Sequence, residues 1–366
     1  MASIRDIAKA ASVSIATVSR ALSGSPEVSE ELAKKVRAAA ASLNYRPERA
    51  RRGKRPRTQP GPMGSAAPRA EPAPRVPGGA AIQLYVPGTR AAALHDRSVG
   101  YFAYVFSGML RKAEEAGLSL NLTPYPVGKI AEVLHAENLE RMRRAGVLGL
   151  LFLFSSRDEE KLLAAQPPDF PWIALNRAVP NAGLSVRIDE RAGAKLGVEH
   201  LIEAGHTRIA VLAGPASFSF FEERLAGVKD ALSAHGLNLP AELLVRAELS
   251  LEAGRVAAHK LLTASPRPTA LFACEEDFAA AALAEAERMA LRIPEDLSLV
   301  AFSDFVLSAK KGAGVTAVST PAFELGYMAV ETLLNQHRLS APMRAELVLA
   351  PKLIVRHTVA KLAARK

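Results

Sequence analysis

Beyond residue 80 the chain alternates short apolar runs with longer amphipathic segments. The runs at 80–88 and 147–154 have the length and aliphatic content of buried strands. Segments such as 101–117 and 190–205 carry apolar residues at helical spacing instead. Strands that alternate with helices favour parallel, doubly wound sheets, and the length of this region fits two such lobes better than one.

The same patterns assign the remaining elements of this region. Further strands are predicted at 118–125, 170–176, 184–189, 208–214, 269–274 and 297–302, and in the closing segments LVLAP and KLIVR. Further helices are predicted at 130–146, 224–236, 252–264, 278–290 and 324–336. Trp172 lies on an apolar strand, which favours a role in the core over a ligand platform.

The N-terminus predicts two short helices separated by a tight turn, between Ile4 and Leu22. Ser14 is placed to cap the second helix, with Thr17 three residues later. A third helix follows Ser29 and carries its own apolar stripe. The residues expected to form a small common core are Ile4, Ile7, Ala8, Ala11, Val18, Ala21, Leu22, Leu32, Val36, Ala39 and Leu43.

The outward face of the second helix is short and small, and it ends in one long cation. It consists of Ile15, Ala16, Ser19 and Arg20. Such a face suits a helix whose N-terminal end enters the major groove of DNA. A plain three-helix bundle with solvated charges explains each helix taken singly, so the residues alone leave that alternative open.

Basic residues are concentrated at the N-terminal end of the chain. The net charge is +10 over 366 residues. Residues 1–79 hold fifteen Lys/Arg against six Asp/Glu, whereas the remainder holds thirty-two against thirty-one. This asymmetry is expected of a nucleic-acid-binding arm attached to a neutral domain.

Several protein classes are disfavoured by what the sequence lacks. A single cysteine, Cys274, excludes an intrachain disulfide and favours a reducing, cytoplasmic setting. Neither a signal peptide nor an apolar stretch of membrane-spanning length is found, so no membrane partner is expected. The common nucleotide-binding, hydrolase and zinc motifs are missing, so we expect no enzyme activity, no cofactor and no metal.

The segment IRDIAKAASVSIATVSRALSGSPEVSEELAKKVRAAAASLNYRP resembles, without a gap, the headpiece of the lactose/galactose-repressor (LacI-type) family of bacterial transcription regulators. One departure is Ser12, where the family usually has Gly in the turn. The resemblance puts Ile15, Ala16 and Arg20 at base-reading positions, where Arg20 contacts guanine and the other two a thymine methyl. It implies that Thr17, Ser19 and Tyr45 make phosphate or packing contacts. The open backbone amides at the helix start also make Ser14 suited to contact a phosphate.

A basic hinge and a Pro/Ala/Gly-rich linker, residues 48–79, follow the helix-turn-helix headpiece at 1–47. We expect the linker to be extended. The hinge residues expected on the DNA backbone are Arg49, Arg51, Arg52 and Lys54, with a solvated tether as the alternative. The resemblance implies a hinge helix ending in a Leu that wedges into the minor groove. Gly53 interrupts that helix and Lys54 replaces the Leu, which predicts weaker bending of the DNA.

Residues 80–366 resemble the effector-binding core of the same family, most clearly from Ser185 to Arg356 in segments such as GVEHLIEAGHTRIAVLAGP and LRIPEDLSLVAFSD. The resemblance implies a two-lobed, periplasmic-binding-protein-like α/β core of doubly wound parallel sheets, which also dimerises. The first lobe is expected at about 80–177 and 322–345. The second is expected at about 186–318 and 350–360, with an effector in the cleft between the lobes.

The resemblance also implies cleft residues, namely Tyr101, Phe102, Asn176, Phe220, Arg224, Leu249, Glu275, Ser303 and Asp304. Arg224 is expected to hold a ligand hydroxyl or carboxylate, the alternative being an ion pair with Glu222 or Glu223. Asn176 and Ser303 stand where the family commonly has Asp, and Glu275 where it has Asn. The pattern departs from that of a sugar pocket, so a different ligand, or none, is expected.

Together these features predict a cytoplasmic transcription regulator, specifically a repressor that binds a palindromic double-stranded DNA operator as a homodimer. One form of control is a small-molecule effector, a sugar or another metabolite, bound in the cleft. One alternative is a regulator of the same family without a small-molecule switch. Alternatives of other classes are a solute-binding protein, opposed by the headpiece, and an enzyme on a doubly wound scaffold, opposed by the missing motifs.

Overall fold

The computed structural model describes two units of the chain, residues 1–69 and 70–366, and each is presented by itself. The described residues are 4–11, 13–14, 17–18, 21, 30–42, 79–87, 100–126, 128–153, 157–165, 168–177, 179, 183–304, 314–339 and 343–362.

The N-terminal unit contains helices α1 (Ile4–Ala11) and α2 (Glu30–Ser42), and Thr17, Val18 and Ala21 between them are also helical. Among the described residues, its hydrophobic core is a cluster of eight buried residues: Ile7, Ala8, Ala11, Val18, Ala21, Ala33, Val36 and Ala40. In the expected stripe of the third helix, Val36 is buried as predicted, whereas Leu32 and Ala39 are half-buried. Ala33 and Ala40, which were not predicted, are also buried. Leu22 and Leu43 lie outside the described residues.

The first lobe of the large unit is built on a six-stranded parallel sheet. Its strands are β1 (Ala81–Pro87), β2 (Ser119–Tyr125), β3 (Val147–Leu153), β4 (Trp172–Leu175), β5 (Leu184–Ile188) and a late strand, β11 (Ala345–Leu349). Their order is β2-β1-β3-β4-β5-β11, and each neighbouring pair is parallel. Every residue of β1 is buried, as expected of a central strand covered on both faces.

The second lobe repeats this topology. Its strands are β6 (Ile209–Ala213), β7 (Leu244–Arg246), β8 (Ala270–Ala273), β9 (Ser298–Phe302), β10 (Thr316–Ser319) and β12 (Lys352–Ile354). Their order is β7-β6-β8-β9-β10-β12, parallel except for the pair β10–β12. In each sheet the strand order reverses beside the first strand, and crevices at such switch points are where α/β proteins bind ligands.

Helices cover both faces of each sheet. In the first lobe they are α3 (Gly100–Ala116), α4 (Ile130–Val133), α5 (Ala136–Arg144), α6 (Arg157–Ala165) and α11 (Ala322–Arg338). In the second they are α7 (Glu190–Glu203), α8 (Ser219–Ala234), α9 (Leu251–Leu262) and α10 (Glu276–Arg288), with a 3-10 turn at Ala241–Leu243. Trp172 is buried in a core cluster of the first lobe. The doubly wound α/β class predicted from the sequence is confirmed.

The chain crosses between the lobes at three places. β5 pairs in the first sheet and α7 packs on the core of the second lobe, so the first crossing is at Asp189. The second separates β10 from α11, and the third separates β11 from β12. The expected lobe limits at about 177, 186 and 345 all fall too early, because 184–188 and 345–349 pair with one another in the first sheet.

A few element predictions need correction. The helix expected at 130–146 is broken into α4 and α5 around His135. The helix expected from 224 begins at Ser219, because Phe220 and Phe221 are buried on it in the core of the second lobe. The predictions omitted α6, β7 and β10, whose short or charged segments give little periodic signal.

Helices α3 and α11 cross in direct backbone contact. A Cβ atom built on Gly108 would lie 1.9 Å from the carbonyl oxygen of Phe323. One built on Gly326 would lie 1.9 Å from the carbonyl oxygen of Val105. The crossing therefore requires glycine on both helices, and it fixes α11, which returns from the second lobe, against the first.

Candidate functional site

The nine residues expected in the cleft all follow strands of the two sheets. Tyr101 and Phe102 lie at the start of α3, the helix after β1, and Asn176 directly follows β4. In the second lobe the remaining six lie beyond the ends of β6, β7, β8 and β9: Phe220, Arg224, Leu249, Glu275, Ser303 and Asp304. Because carboxyl ends of parallel strands share one edge of a sheet, this placement fits a cleft site.

Arg224 is the centre of a buried ion-pair network. Its side chain is 6% exposed, and its Nε donates to Glu190 Oε2 at 2.7 Å. Its Nη1 donates to Glu275 Oε2 at 3.1 Å and also to the carbonyl oxygen of Cys274. The guanidinium lies over the ring of Phe302, with 3.8 Å from Cζ to the ring centroid. The arginine is thus held by two carboxylates, a carbonyl and an aromatic face.

The alternative partners expected for Arg224 were wrong. Glu222 pairs with Arg246 at 2.6 Å, and Glu223 lies 3.8 Å from Arg187. Both glutamates precede Arg224 on α8, and their side chains are partly exposed, at 32% and 38%. The buried guanidinium instead reaches the acid at the start of the neighbouring helix α7.

Glu190 is a buried member of this network that was not among the predicted cleft residues. It is the first residue of α7, and its side chain is only 2% exposed. Asp189 caps the helix by accepting a hydrogen bond from the Ala192 amide at 2.9 Å. An acid in the first turn of a helix is usually exposed to solvent, where it interacts with the helix dipole, so no local pattern predicted that Glu190 is buried. A weak signal was available, since two acids directly follow the buried strand β5.

Asn176 connects the network to the first lobe. Its Nδ2 donates to Glu190 Oε1 at 3.2 Å, and its Oδ1 accepts from the Ile188 amide at 3.3 Å. Its backbone has φ of +56°, a left-handed conformation that Asn tolerates better than most residues. Glu190 therefore accepts hydrogen bonds from both lobes, through Asn176 and Arg224.

The charges shape the protonation of the buried groups around Arg224. Burial alone would lower the pKa of Arg224, but Glu190 and Glu275 outweigh it and raise that pKa above its usual value. Burial, reinforced by the Glu190 carboxylate, raises the pKa of Tyr101 well above its usual range, so the phenol stays neutral. Burial also raises the pKa of the Cys274 thiol to about 12, which leaves it unreactive.

A second link between the lobes lies next to the first. Arg177, with its side chain 2% exposed, pairs through Nη1 with Glu160 of α6. The same Nη1 donates to Ser219 Oγ of α8 at 3.1 Å, and that hydroxyl donates to Glu160 Oε1 at 3.0 Å. Consecutive residues after β4, Asn176 and Arg177, thus each contact the second lobe.

The other expected cleft residues have varied surroundings. Phe220 lies against the Arg224 guanidinium, 5.0 Å from Cζ to the ring centroid. Phe102 and Leu249 pack against the apolar cores of the first and second lobes. Asp304 accepts a hydrogen bond from Arg356 Nη2 at 2.6 Å. Ser303 is buried with φ of +77°, an uncommon conformation for a non-glycine residue and one often found at functional sites.

The described part of the headpiece shows how the second helix begins. The Thr17 amide donates to Ser14 Oγ at 3.1 Å, and the two hydroxyls are 2.8 Å apart. The predicted N-cap at Ser14 is confirmed. The other expected DNA contacts lie outside the described residues: Ile15, Ala16, Ser19, Arg20, Tyr45, Arg49, Arg51, Arg52 and Lys54.

The described ranges contain no cluster of three His, Cys, Asp or Glu residues arranged to hold a metal ion. Nor is any helix within these ranges both long and apolar enough to cross a membrane. Buried charged side chains of the large unit meet in the network around Arg224.

Comparison with known proteins gives the same two-part picture. Residues 3–48 match the family model for bacterial regulatory proteins of the lacI family, and residues 198–359 match that for a periplasmic binding protein-like domain. The ribose operon repressor of Haemophilus influenzae is 30% identical, over 98% of this chain and 99% of its own length. The transcriptional repressor CytR of Escherichia coli K12 is 29% identical, over 92% of this chain and 89% of its own length. The structure of the transcriptional regulator CelR in complex with cellobiose aligns with a TM-score of 0.68 at 25% identity, over 98% of this chain and all of that one.

A helix-turn-helix headpiece on a two-lobed, periplasmic-binding-protein-like core defines a class of bacterial regulators that bind DNA. The chain belongs to the lacI family of bacterial regulatory proteins, as the family models and the full-length similarity to the ribose operon repressor show.

Proposed function

We propose that this regulator is a repressor that binds a palindromic DNA operator as a homodimer. The headpiece match at residues 3–48 carries the proposal, because that module contains the predicted base-reading residues Ile15, Ala16 and Arg20. Two headpieces related by a twofold axis would read two half-sites of matching symmetry. The hinge residues Arg49, Arg51, Arg52 and Lys54 would add phosphate contacts.

The similar proteins support repression over the other functions considered. The Haemophilus influenzae and Escherichia coli relatives are both named as repressors, and each aligns with nearly the whole chain. Both relatives are named as regulators, and burial raises the pKa of the Cys274 thiol to about 12, which makes this thiol a poor nucleophile. A solute-binding protein would have no use for the headpiece.

Replacing Arg20 by Ala should weaken binding to the operator by about 1–3 kcal/mol and relax specificity at one base pair of each half-site. The physical reason is the loss of a bidentate contact to guanine O6 and N7. Fluorescence anisotropy on the operator and on single-base variants measures both effects. Lys34→Ala, which removes an exposed cation on α2, serves as the control and should leave specificity unchanged.

The salt dependence of the same binding reaction separates base contacts from phosphate contacts. With about 6 phosphate contacts, log K should fall against log salt with a slope near −5, and Arg20→Ala should keep most of that slope. A slope near zero for the wild type would contradict binding to duplex DNA. An Arg20→Ala variant with unchanged specificity would remove Arg20 from the base-reading set.

Two forms of regulation fit a repressor of this architecture. In the first, a small molecule binds between the lobes near Tyr101, Phe220 and Glu275. The similar regulator CelR has a solved structure in complex with cellobiose. In the second, no small molecule controls DNA binding. The ion pairs of Arg224 favour the second form.

A further inference from the structure

Two of the three guanidinium nitrogens of Arg224, Nε and Nη1, already donate hydrogen bonds to the protein. Nε donates to Glu190, and Nη1 to Glu275 and the Cys274 carbonyl. The guanidinium is also enclosed by aromatic rings, with Cζ 3.8 Å from the centroid of Phe302, 5.0 Å from that of Phe220 and 5.5 Å from that of Phe221. A ligand could reach Nε only by displacing the Glu190 carboxylate, whose side chain is 2% exposed.

Each electrostatic class of ligand meets an obstacle at this position. A neutral hydroxyl would exchange a charge-assisted hydrogen bond for a weaker one and leave a buried carboxylate without its counter-ion. An anion would approach two carboxylates, Glu190 and Glu275. A cation would compete for these carboxylates with the guanidinium of Arg224, which is already buried beside them. Arg224 and the two glutamates thus pair their charges with one another and need no charge from a ligand.

The same carboxylate also bridges the lobes. Glu190 belongs to α7 of the second lobe, yet it accepts a hydrogen bond from Asn176, which follows β4 of the first. Next to it, Arg177 of the first lobe contacts Ser219 of the second. A ligand that closes two lobes does so by contacting both, and here Glu190 makes those contacts from within the chain.

We propose that the Glu190 and Glu275 carboxylates occupy Arg224 in place of an effector, so that this protein binds its operator without a small-molecule switch. The inference rests on the proposed repressor function, because it concerns how that repressor is controlled. A ligand shifts a conformational equilibrium only through different affinities for the two states. The Glu190 and Glu275 carboxylates belong to the chain and are present in every molecule. Their contacts with Arg224 therefore do not depend on the concentration of a small molecule.

The first test uses chemical rescue of the missing carboxylate and requires no DNA. Glu190→Ala should lower the thermal unfolding midpoint, and formate should raise the midpoint of this variant relative to chloride at equal ionic strength. The matched control is Asp230→Ala, which removes the carboxylate partner of Arg191, an exposed arginine also on α7. Formate should have no specific effect on the control or on the wild type. A Glu190→Ala variant as stable as the wild type, or one indifferent to formate, would overturn the proposal.

Glu190→Gln covers the case in which the alanine variant does not fold. Gln keeps the shape of the side chain and a hydrogen-bond acceptor but loses the charge, so we expect a lower midpoint than that of the wild type. Equal midpoints would show that the charge of residue 190 is unimportant and would contradict the proposal.

The second test measures control of DNA binding directly. Wild-type affinity for the operator should change by less than about twofold when hexoses, pentoses, nucleosides or sugar phosphates are added, whereas effectors typically change affinity by about 5- to 150-fold. If a compound from this panel changed the affinity for the operator by about 5-fold or more, the proposal that the two carboxylates replace an effector would be refuted, while the repressor function would remain intact. Loss of all sequence preference would refute the repressor function and leave the formate result standing.

Discussion

Arg224→Ala should lower the free energy of unfolding of the two-lobed core by about 3–5 kcal/mol, the cost expected when one partner of a buried ion pair is removed. The variant leaves the Glu190 carboxylate in place, 2% exposed, with Asn176 as its remaining described donor. It also removes the cation that lies over the Phe302 ring. Urea unfolding followed by circular dichroism measures the loss.

A double variant separates two costs of Arg224→Ala: the unpaired buried charge of Glu190 and the lost packing of the Arg224 side chain. Arg224→Ala with Glu190→Ala should be more stable than the sum of the single losses predicts, because neither charge is then left buried alone. Arg191→Ala breaks an exposed pair with Asp230 and should change stability little. If Arg224→Ala were no more destabilising than Arg191→Ala, the network would have no structural role.

Gly326→Ala should destabilise the first lobe by roughly 3 kcal/mol, the upper end of the cost of overpacking. The added Cβ would lie 1.9 Å from the Val105 carbonyl oxygen and 3.0 Å from the Met109 amide nitrogen. Both are backbone atoms of α3, so no side chain can rotate out of the way. The two helices must separate, and the apolar cluster they share with the first sheet must repack.

Glu324→Ala is the control on the same helix. Glu324 is exposed on α11, so its truncation should change stability by less than about 0.5 kcal/mol. Gly108→Ala, on the facing helix, should resemble Gly326→Ala, since its Cβ would meet the Phe323 carbonyl oxygen at the same 1.9 Å. A mild effect at both glycines would mean that the two helices are not in backbone contact.

Much of the fold follows from local patterns in the sequence. The unbroken apolar run of β3 and the helical spacing of α3 and α7 are visible directly, because burial of a strand or a helix face fixes which residues are apolar. The Ser14 cap was predictable as well, since capping depends on a residue and its neighbour three positions later.

Other features depend on residues that are far apart in the chain. The backbone contact of α3 with α11 joins two helices that are distant in the chain, and neither Gly108 nor Gly326 has a local signature. The burial of Glu190 depends on Arg224 and Asn176, which reach it from other elements. The nine cleft residues came from resemblance to a family, and that resemblance could not show that the arginine among them is held by the chain itself.

A small N-terminal module that reads duplex DNA, followed by a core whose cleft arginine is held by the chain's own carboxylates, should select the same DNA with or without a small molecule. The decisive measurement is selection of DNA bound by the full chain from a random duplex pool, with and without a mixture of metabolites. We expect one palindromic sequence to be enriched, and to be enriched equally in both selections. A pool with no preferred sequence, or one enriched only when metabolites are present, would refute this expectation.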